Sequence, residues 1–226
     1  MPEGQITDGG LGEETATHRL LVIACGALAR EMRAVLRQAG MGHADLHALP
    51  AILHNRPERI APTVEAALAE RAAGYDRVFV AYADCGTGGA LRRLCDRLGA
   101  QMLPGPHCYA VFDPSILETG EGDAFYVTDF LARQFDAFVT RPLGLDRHPE
   151  LRDDYFGHYR RLVHLAQTDD PALTAKARAA ADRLGLRYEE RFTGLGVLAH
   201  ETKRATGGAT FADLSSGKAR PVPCRR

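Results

Sequence analysis

Four short segments of the sequence carry a thiol or an imidazole at the place where a strand should end. They are Cys25-Gly26, His54-Asn55, the run from Asp84 to Gly89, and His107-Cys108. In an open α/β sheet the carboxyl ends of the strands line one crevice, so side chains that are distant in sequence become neighbours there. The sequence therefore predicts that sulfur and imidazole groups meet at one rim of a sheet.

These residue types favour a metal site, because thiolates and neutral imidazoles are the ligands that zinc and iron-sulfur clusters prefer. We expect zinc, with an iron-sulfur cluster as the alternative. The candidate metal ligands are Cys25, His54, Cys85, Cys108 and His107. If three of them bind zinc, an open position remains for a substrate thiol or water. The opposing interpretation is that a lone cysteine at a strand end is a small buried apolar side chain.

Cys85 is also a candidate catalytic nucleophile. It lies in a glycine-rich turn before a predicted helix, where backbone N–H groups and the helix dipole favour a thiolate. A metal-free thiolate enzyme is therefore an alternative, with the glycine turn as an anion hole. The residues of that turn, Gly86, Thr87 and Gly88, are candidates for binding a cofactor. The turn matches neither a dinucleotide fingerprint nor a P-loop, so nucleotide binding is the weaker interpretation.

The elements that must position these residues alternate between strand and helix. Apolar runs predict strands over 19–24, 44–49, 77–83 and 101–103, and helical periodicity lies between them. Such alternation with short connections predicts an α/β fold with a doubly wound, mostly parallel, Rossmann-like sheet. Weaker patterns, including an Asp129 expected to cap a helix, indicate a smaller second β-α lobe.

The domain organisation follows from composition along the chain. Residues 1–18 are polar and glycine-rich and predict a flexible N-terminal arm. We expect the α/β domain over 19–199, with sub-lobes 19–110 and 111–199. From residue 200 to residue 226 the apolar periodicity fades and basic side chains dominate, which predicts a mobile basic tail.

Charge and cysteine content narrow the class of protein. The 28 Lys and Arg against 29 Asp and Glu give a net charge of −1, which argues against nucleic-acid or anionic-membrane partners. No run approaches the ~20 apolar residues of a membrane helix, and no signal peptide is visible. The 5 cysteines therefore suggest a reducing cytoplasm. Cys95 fits the core face of a helix, and Cys224 lies in the expected tail.

Several short motifs occur together in a particular order. They are Ile23-Ala24-Cys25-Gly26, Leu53-His54-Asn55-x-Pro57, Tyr82-x-x-Cys85-Gly86, His107-Cys108 and Tyr126-Val127-Thr128. This set resembles an uncharacterised bacterial and archaeal family, the domain of unknown function numbered 1638, over about residues 19–190. Family members carry His-Asp-Cys where this chain has His107-Cys108, so the resemblance supports Cys25, His54 and Cys85 better than Cys108.

The resemblance also implies a biological setting, since members of that family often accompany corrinoid-dependent methyl-transfer proteins. We therefore expect a cytoplasmic metal-binding protein that acts in or beside corrinoid-linked one-carbon metabolism and methyl transfer. The expected partners are a small thiol or methylated substrate and a corrinoid or methyltransferase protein. The alternative from another class is a non-catalytic accessory protein that docks on a methyltransferase.

Overall fold

A computed structural model describes residues 19–119 and 122–207 of the chain. The arm expected over residues 1–18 and residues 208–226 of the expected tail lie outside the described residues. Two parallel sheets with interleaved helices form the described part, so the α/β, Rossmann-like fold with a smaller second lobe is confirmed.

The first lobe contains a parallel sheet of 4 strands in the order β2-β1-β3-β4. The strands are β1 (Leu20–Cys25), β2 (Asp45–Leu49), β3 (Arg77–Ala81) and β4 (Gln101–Met102). The helices between them are α1 (Ala29–Gln38), α2 (Ile60–Arg71) and α3 (Ala90–Leu98). Strand β1 is central and buried along its whole length, which explains its uninterrupted apolar sequence. Strand β2 is at the edge and mostly accessible, which explains its polar residues.

The second lobe contains a parallel sheet of 3 strands in the order β5-β6-β7. Two short helices lead into it, α4 (Tyr109–Phe112) and α5 (Ser115–Thr119). Its strands are β5 (Ala124–Thr128), β6 (Arg161–Ala166) and β7 (Arg187–Phe192), and its helices are α6 (Asp129–Arg133), α7 (Arg152–Phe156) and α8 (Pro171–Leu184). This lobe repeats the β-α rhythm with longer, less regular connections.

The two lobes share apolar contacts through the alternating faces of β6. Val163 and Leu165 belong to the same buried cluster as the first sheet. Leu162, which points to the opposite face, belongs to a second cluster together with Ala177 and Ala181 of α8. The second sheet therefore lies between the core of the first lobe and its own helix.

The last described helix corrects the expected start of the tail. Helix α9 (Gly196–Thr206) packs against α1 and β3 of the first lobe and against α4. Leu198 and Thr202 are fully buried, and the Thr202 hydroxyl donates to the Leu198 carbonyl at 2.7 Å. Residues 200–206 are thus part of the folded domain. The sequence hid this because small and polar residues form the buried face of the helix.

A buried polar cluster joins the ends of β5 and β6. Thr128, rather than the expected Asp129, caps α6 by accepting from the Leu131 amide at 3.4 Å. The Asp129 carboxylate instead accepts from His164 Nε2 at 3.0 Å and from the Thr168 amide and hydroxyl at 2.9 and 2.6 Å. These bonds fix the start of α6.

Among the described helices, none combines the length and the apolar character needed to cross a membrane.

Candidate functional site

Cys25 and His54 are in contact at the carboxyl end of β1. The Cys25 sulfur lies 3.7 Å from His54 Nδ1 and 4.0 Å from Nε2, and it accepts a hydrogen bond from the Ala27 amide at 3.3 Å. His54 Nδ1 also lies 3.1 Å from the Ala51 carbonyl oxygen. Because a carbonyl can only accept, this contact assigns the hydrogen to Nδ1. The turn that follows β2 therefore holds the imidazole against the sulfur.

Gly26 permits this contact. A Cβ at position 26 would lie 2.7 Å from the Leu49 carbonyl oxygen and 2.9 Å from the Ala51 amide nitrogen, closer than backbone atoms allow. The absence of a side chain lets the end of β1 pass directly beside the chain leaving β2. This close approach brings two residues from different β-α units together.

Cys85 lies in a strained turn after β3. Its φ of 50° makes it the one non-glycine residue in the left-handed region among the described residues. Its amide donates to the Pro106 carbonyl at 2.8 Å, and the Asp84 amide donates to the Gly105 carbonyl at 3.1 Å. These bonds tie the turn to the loop that carries Cys108. As a result, Cys85 lies close enough to Cys108 and His54 for both of them to lower the pKa of its thiol.

The expected cofactor-binding turn has an internal role. The Asp84 carboxylate accepts from the Thr87 hydroxyl at 2.6 Å and from the Gly89 amide at 2.8 Å. Burial opposes ionisation of Asp84, but these bonds outweigh it and lower the pKa of the carboxyl. Gly86 and Gly88 have positive φ values of 82° and 60°. The turn is thus organised around its own carboxylate.

The thiols and the imidazole form a charged cluster. The hydrogen bond from Cys108 lowers the pKa of Cys85 to about 5, helped by His54 and opposed by burial. Burial disfavours a charged His54, but hydrogen bonds to Cys25 and Cys85 raise its pKa to about 11. The same bond to Cys85, together with burial, raises the pKa of Cys108. Around neutral pH the cluster holds a Cys85 thiolate between a Cys108 thiol and a His54 imidazolium.

Tyr82 contributes a hydroxyl that sequence reasoning missed. Its side chain is fully buried, its ring stacks on that of His54 at 6.3 Å, and its hydroxyl has no hydrogen-bond partner among the described residues. Burial, followed by the charges on Cys25 and Cys85, raises the pKa of this phenol. It therefore stays a donor beside the sulfurs. In the sequence, Tyr82 stands in the motif Tyr82-x-x-Cys85-Gly86, but it continues a buried apolar strand, so no role could be assigned to its hydroxyl.

The remaining candidates lie apart from this cluster. The His107 ring packs against Tyr109 at 5.5 Å, and its buried Nδ1 has no partner among the described residues. Cys95 is fully buried in α3, as its helical spacing predicts, and burial raises its pKa to about 12. Cys224 lies outside the described residues. The structure thus joins Cys25 and His54 by a direct contact and places Cys85 and Cys108 near His54, and within the described residues neither His107 nor Cys95 has a hydrogen bond to this group.

A cavity of about 530 Å³ opens beside the cluster, between the two lobes. His54 and Cys108 line its first-lobe wall, with Ala27 and Ala51. The second lobe supplies an apolar wall that includes Phe125, Phe130, Leu131, Phe138, Leu143 and Phe156. Thiol chemistry from one lobe therefore faces an aromatic surface from the other, a combination that the sequence did not reveal.

The family model described as protein of unknown function (DUF1638) matches residues 48–201. The chain belongs to this family. The match includes His54, Cys85 and Cys108 and begins after Cys25, so the DUF1638 region alone carries most of the cluster. No match was found among curated proteins or solved structures.

The fit of the cluster to a metal ion is mixed. Three thiols and an imidazole are suitable donors for zinc. Within residues 19–119 and 122–207, however, no group of three His, Cys, Asp or Glu side chains has an arrangement that could hold an ion. The side chains as they stand are placed for hydrogen bonding to one another.

Proposed function

We propose that the protein is a thiol-dependent enzyme in which Cys85, assisted by His54 and Cys108, attacks an electrophilic carbon of a ligand bound between the lobes. The observation that carries this proposal is the contact of His54 with the Cys25 sulfur beside a cavity that His54 and Cys108 line, with Cys85 near enough for His54 to lower its pKa. An imidazole within reach of a sulfur is the common arrangement of an activated thiol.

The residues of the cluster suit separate roles in such a reaction. The Cys85 sulfur would form a bond to the ligand carbon while the bond from that carbon to its leaving group breaks. His54, the adjacent imidazolium, would give its proton to the departing group. The unpartnered Tyr82 hydroxyl would donate to negative charge that develops beside the sulfurs. The roles of His54 and Tyr82 use a contact and an unsatisfied group that the fold already supplies, whereas Cys85 is not among the cavity-lining residues and would be reached past His54 and Cys108.

The backbone at Cys85 supports the proposal independently. A non-glycine residue with φ of 50° costs about 1–3 kcal/mol, a cost that proteins concentrate at functional sites. A sharp turn between a strand and a helix also exposes a nucleophile at the rim of an α/β sheet. The strain at Cys85 is therefore consistent with a reactive sulfur at that position.

Site-resolved alkylation tests the proposal. Iodoacetamide should label the Cys85 peptide at pH 7 at least about tenfold faster than it labels free cysteine, because a thiol with a low pKa is ionised there. His54→Gln should reduce the advantage, and the exposed His43→Gln is the matched control. Mass spectrometry of the labelled peptides gives the rates. If wild type and His54→Gln react equally, at the rate of free cysteine, the proposal fails.

A second candidate function keeps zinc as the cofactor, with an iron-sulfur cluster as the alternative. It is favoured by the meeting of four soft donors, Cys25, His54, Cys85 and Cys108, at one place. In this case the side chains would have to reorient, and the expected task is the handling of a small thiol or methylated substrate beside a corrinoid protein. Metal analysis of untagged protein tests it against a Cys25→Ser/Cys85→Ser variant. Equal metal content in the two proteins would exclude this candidate.

A further inference from the structure

The cavity between the lobes has walls that restrict the chemistry of its ligand. Two edge-to-face aromatic pairs contribute to its wall, Phe130 with Phe138 and Phe125 with Phe156, each with ring centroids 5.1 Å apart. Such pairs leave ring faces and edges available to a third ring. The volume of about 530 Å³ is in the range of small-molecule sites. The wall therefore suits a compact apolar or aromatic group.

The scarcity of charged side chains around the cavity also favours an apolar ligand body. No Asp, Glu, Lys or Arg occurs among the described residues that line it, so a charged ligand body that lies against the phenylalanines would lose water without gaining a counter-ion on that wall. The polar groups of the lining are uncharged except for His54, and they include the thiol of Cys108 and the hydroxyl of Thr128. The cavity lining thus contains few polar groups, and two of them, His54 and Cys108, lie on the first-lobe wall.

We propose that this cavity binds an uncharged small molecule whose apolar, ring-sized body lies against the phenylalanines and whose polar, reactive end faces His54 and Cys108. Binding of the body is independent of the thiol chemistry. The orientation of the reactive end rests on the proposed function. The inference therefore names the substrate class of the same site.

A pair of fluorescent probes tests the class of ligand. N-phenyl-1-naphthylamine is uncharged, and its 8-sulfonate derivative has the same rings with a negative charge. The uncharged probe should bind at least about tenfold more tightly, because the apolar wall offers the sulfonate no partner. Equal affinity, or tighter binding of the sulfonate, would overturn the inference.

Two neighbouring substitutions locate the binding. Ala51→Phe places a ring inside the cavity and should weaken probe binding by at least about tenfold. Ile52→Phe is the matched control, because Ile52 is 51% exposed and does not line the cavity. Where Ala51→Phe fails to fold by circular dichroism, Phe138→Ala replaces it, since loss of that ring should also weaken binding. Unchanged affinity in a folded cavity variant would show that the probe binds elsewhere.

A reactive probe tests the orientation and separates the two proposals. N-benzyl iodoacetamide should alkylate Cys85 or Cys108 at least about tenfold faster than iodoacetamide, because its ring binds first. In the reaction the sulfur bonds to the methylene carbon and iodide leaves. If wild type and Cys85→Ala bind the fluorescent probe normally but the benzyl reagent reacts no faster than iodoacetamide, only the proposed orientation is refuted. Fast alkylation by both reagents without probe binding would refute the inference and leave the proposed function intact.

Discussion

At the scale of single residues, the cluster depends on a proton distribution that three side chains set together. Cys108 and His54 lower the pKa of Cys85, the thiols in turn raise the pKa of His54, and burial keeps water from screening these interactions. The pKa of Cys85 at about 5 and that of His54 at about 11 leave a broad interval in which both are charged. The thiolate-imidazolium pair is therefore expected to persist through the physiological pH range.

The pH dependence of alkylation follows from this interval. In wild type, the rate at Cys85 should be flat between about pH 6 and pH 9 and should fall below about pH 5, because a depressed pKa keeps the sulfur ionised until the acid range. In His54→Gln the fall should begin at a higher pH than in wild type, because the pKa of Cys85 moves toward the ordinary thiol value of about 8.5 while Cys108 still lowers it. Rates measured from pH 4 to pH 10 distinguish the profiles. An identical profile for both proteins would show that His54 does not control Cys85.

Strain at Cys85 makes an unusual prediction about stability. Cys85→Gly should be more stable than Cys85→Ala by about 1 kcal/mol, because glycine accepts a φ of 50° without steric cost. At Cys95, inside α3, the order should be reversed by a similar amount, about 1 kcal/mol, because glycine weakens a helix. Urea denaturation of the four variants gives the free energies of unfolding. The same order at both positions would contradict the strain at Cys85.

At the scale of elements, the cluster exists because two β-α units approach each other at Gly26. Gly26→Ala should push the chain after Leu49 away from β1, break the Cys25–His54 contact and lower both stability and thiol alkylation. The expected loss of stability is about 1–3 kcal/mol. Gly42→Ala is the control, since nothing lies within 4 Å of a Cβ there and its φ is ordinary. Unfolding and alkylation assays read out the two effects, and equal behaviour of the two variants would refute the argument.

Helix α9 is an element on which the first lobe depends. Leu198→Ala should lower the free energy of unfolding by about 2–4 kcal/mol, because it leaves a cavity among buried groups. Leu117→Ala, a change at a side chain that is 52% exposed, should cost less than about 0.5 kcal/mol. The midpoints of urea denaturation compare the two variants. Similar small effects would mean that α9 contributes little to the fold.

The alternation of strands and helices could be predicted from the sequence, and the reasons are local. Apolar runs such as Leu20–Cys25 and the helical spacing of Leu91, Leu94 and Cys95 encode their elements directly. Helix α9 could not be recognised, because its buried face includes Thr202 and Ala205, which carry little apolar signal. Its burial is decided by the first lobe, more than 90 residues earlier in the chain.

Some residues of the candidate site could be predicted from the sequence and others could not. Cys25, His54, Cys85 and Cys108 could be named because each follows a strand of one parallel sheet. The cavity phenylalanines and the role of Tyr82 could not be predicted, because aromatic residues in apolar runs look like ordinary core. The strand rule places residues at one rim of a sheet, whereas the cavity depends on a second lobe that packs against that rim.

At the scale of the whole molecule, the shared apolar cluster predicts that the lobes unfold together. Val163→Ala, a truncation of a fully buried side chain of β6, should cost about 2 kcal/mol. Hydrogen exchange of β3 in the first lobe should report the same loss as exchange of β6, because both strands contribute to one cluster. Mass spectrometry of peptides covering 77–81 and 161–166 gives both values. Unchanged protection of 77–81 would show that the lobes open independently.

The division of the cavity between the lobes has an evolutionary consequence. The sulfur and imidazole groups come from residues 25–108, whereas the aromatic wall comes from residues 125–156. Selection can therefore retune which molecules are accepted by altering one stretch of the gene while the reactive groups stay untouched. In chimeras that exchange residues 125–156 between family members, the proposed ligand preference would follow the exchanged segment. The reactive thiols and the imidazole would stay the same.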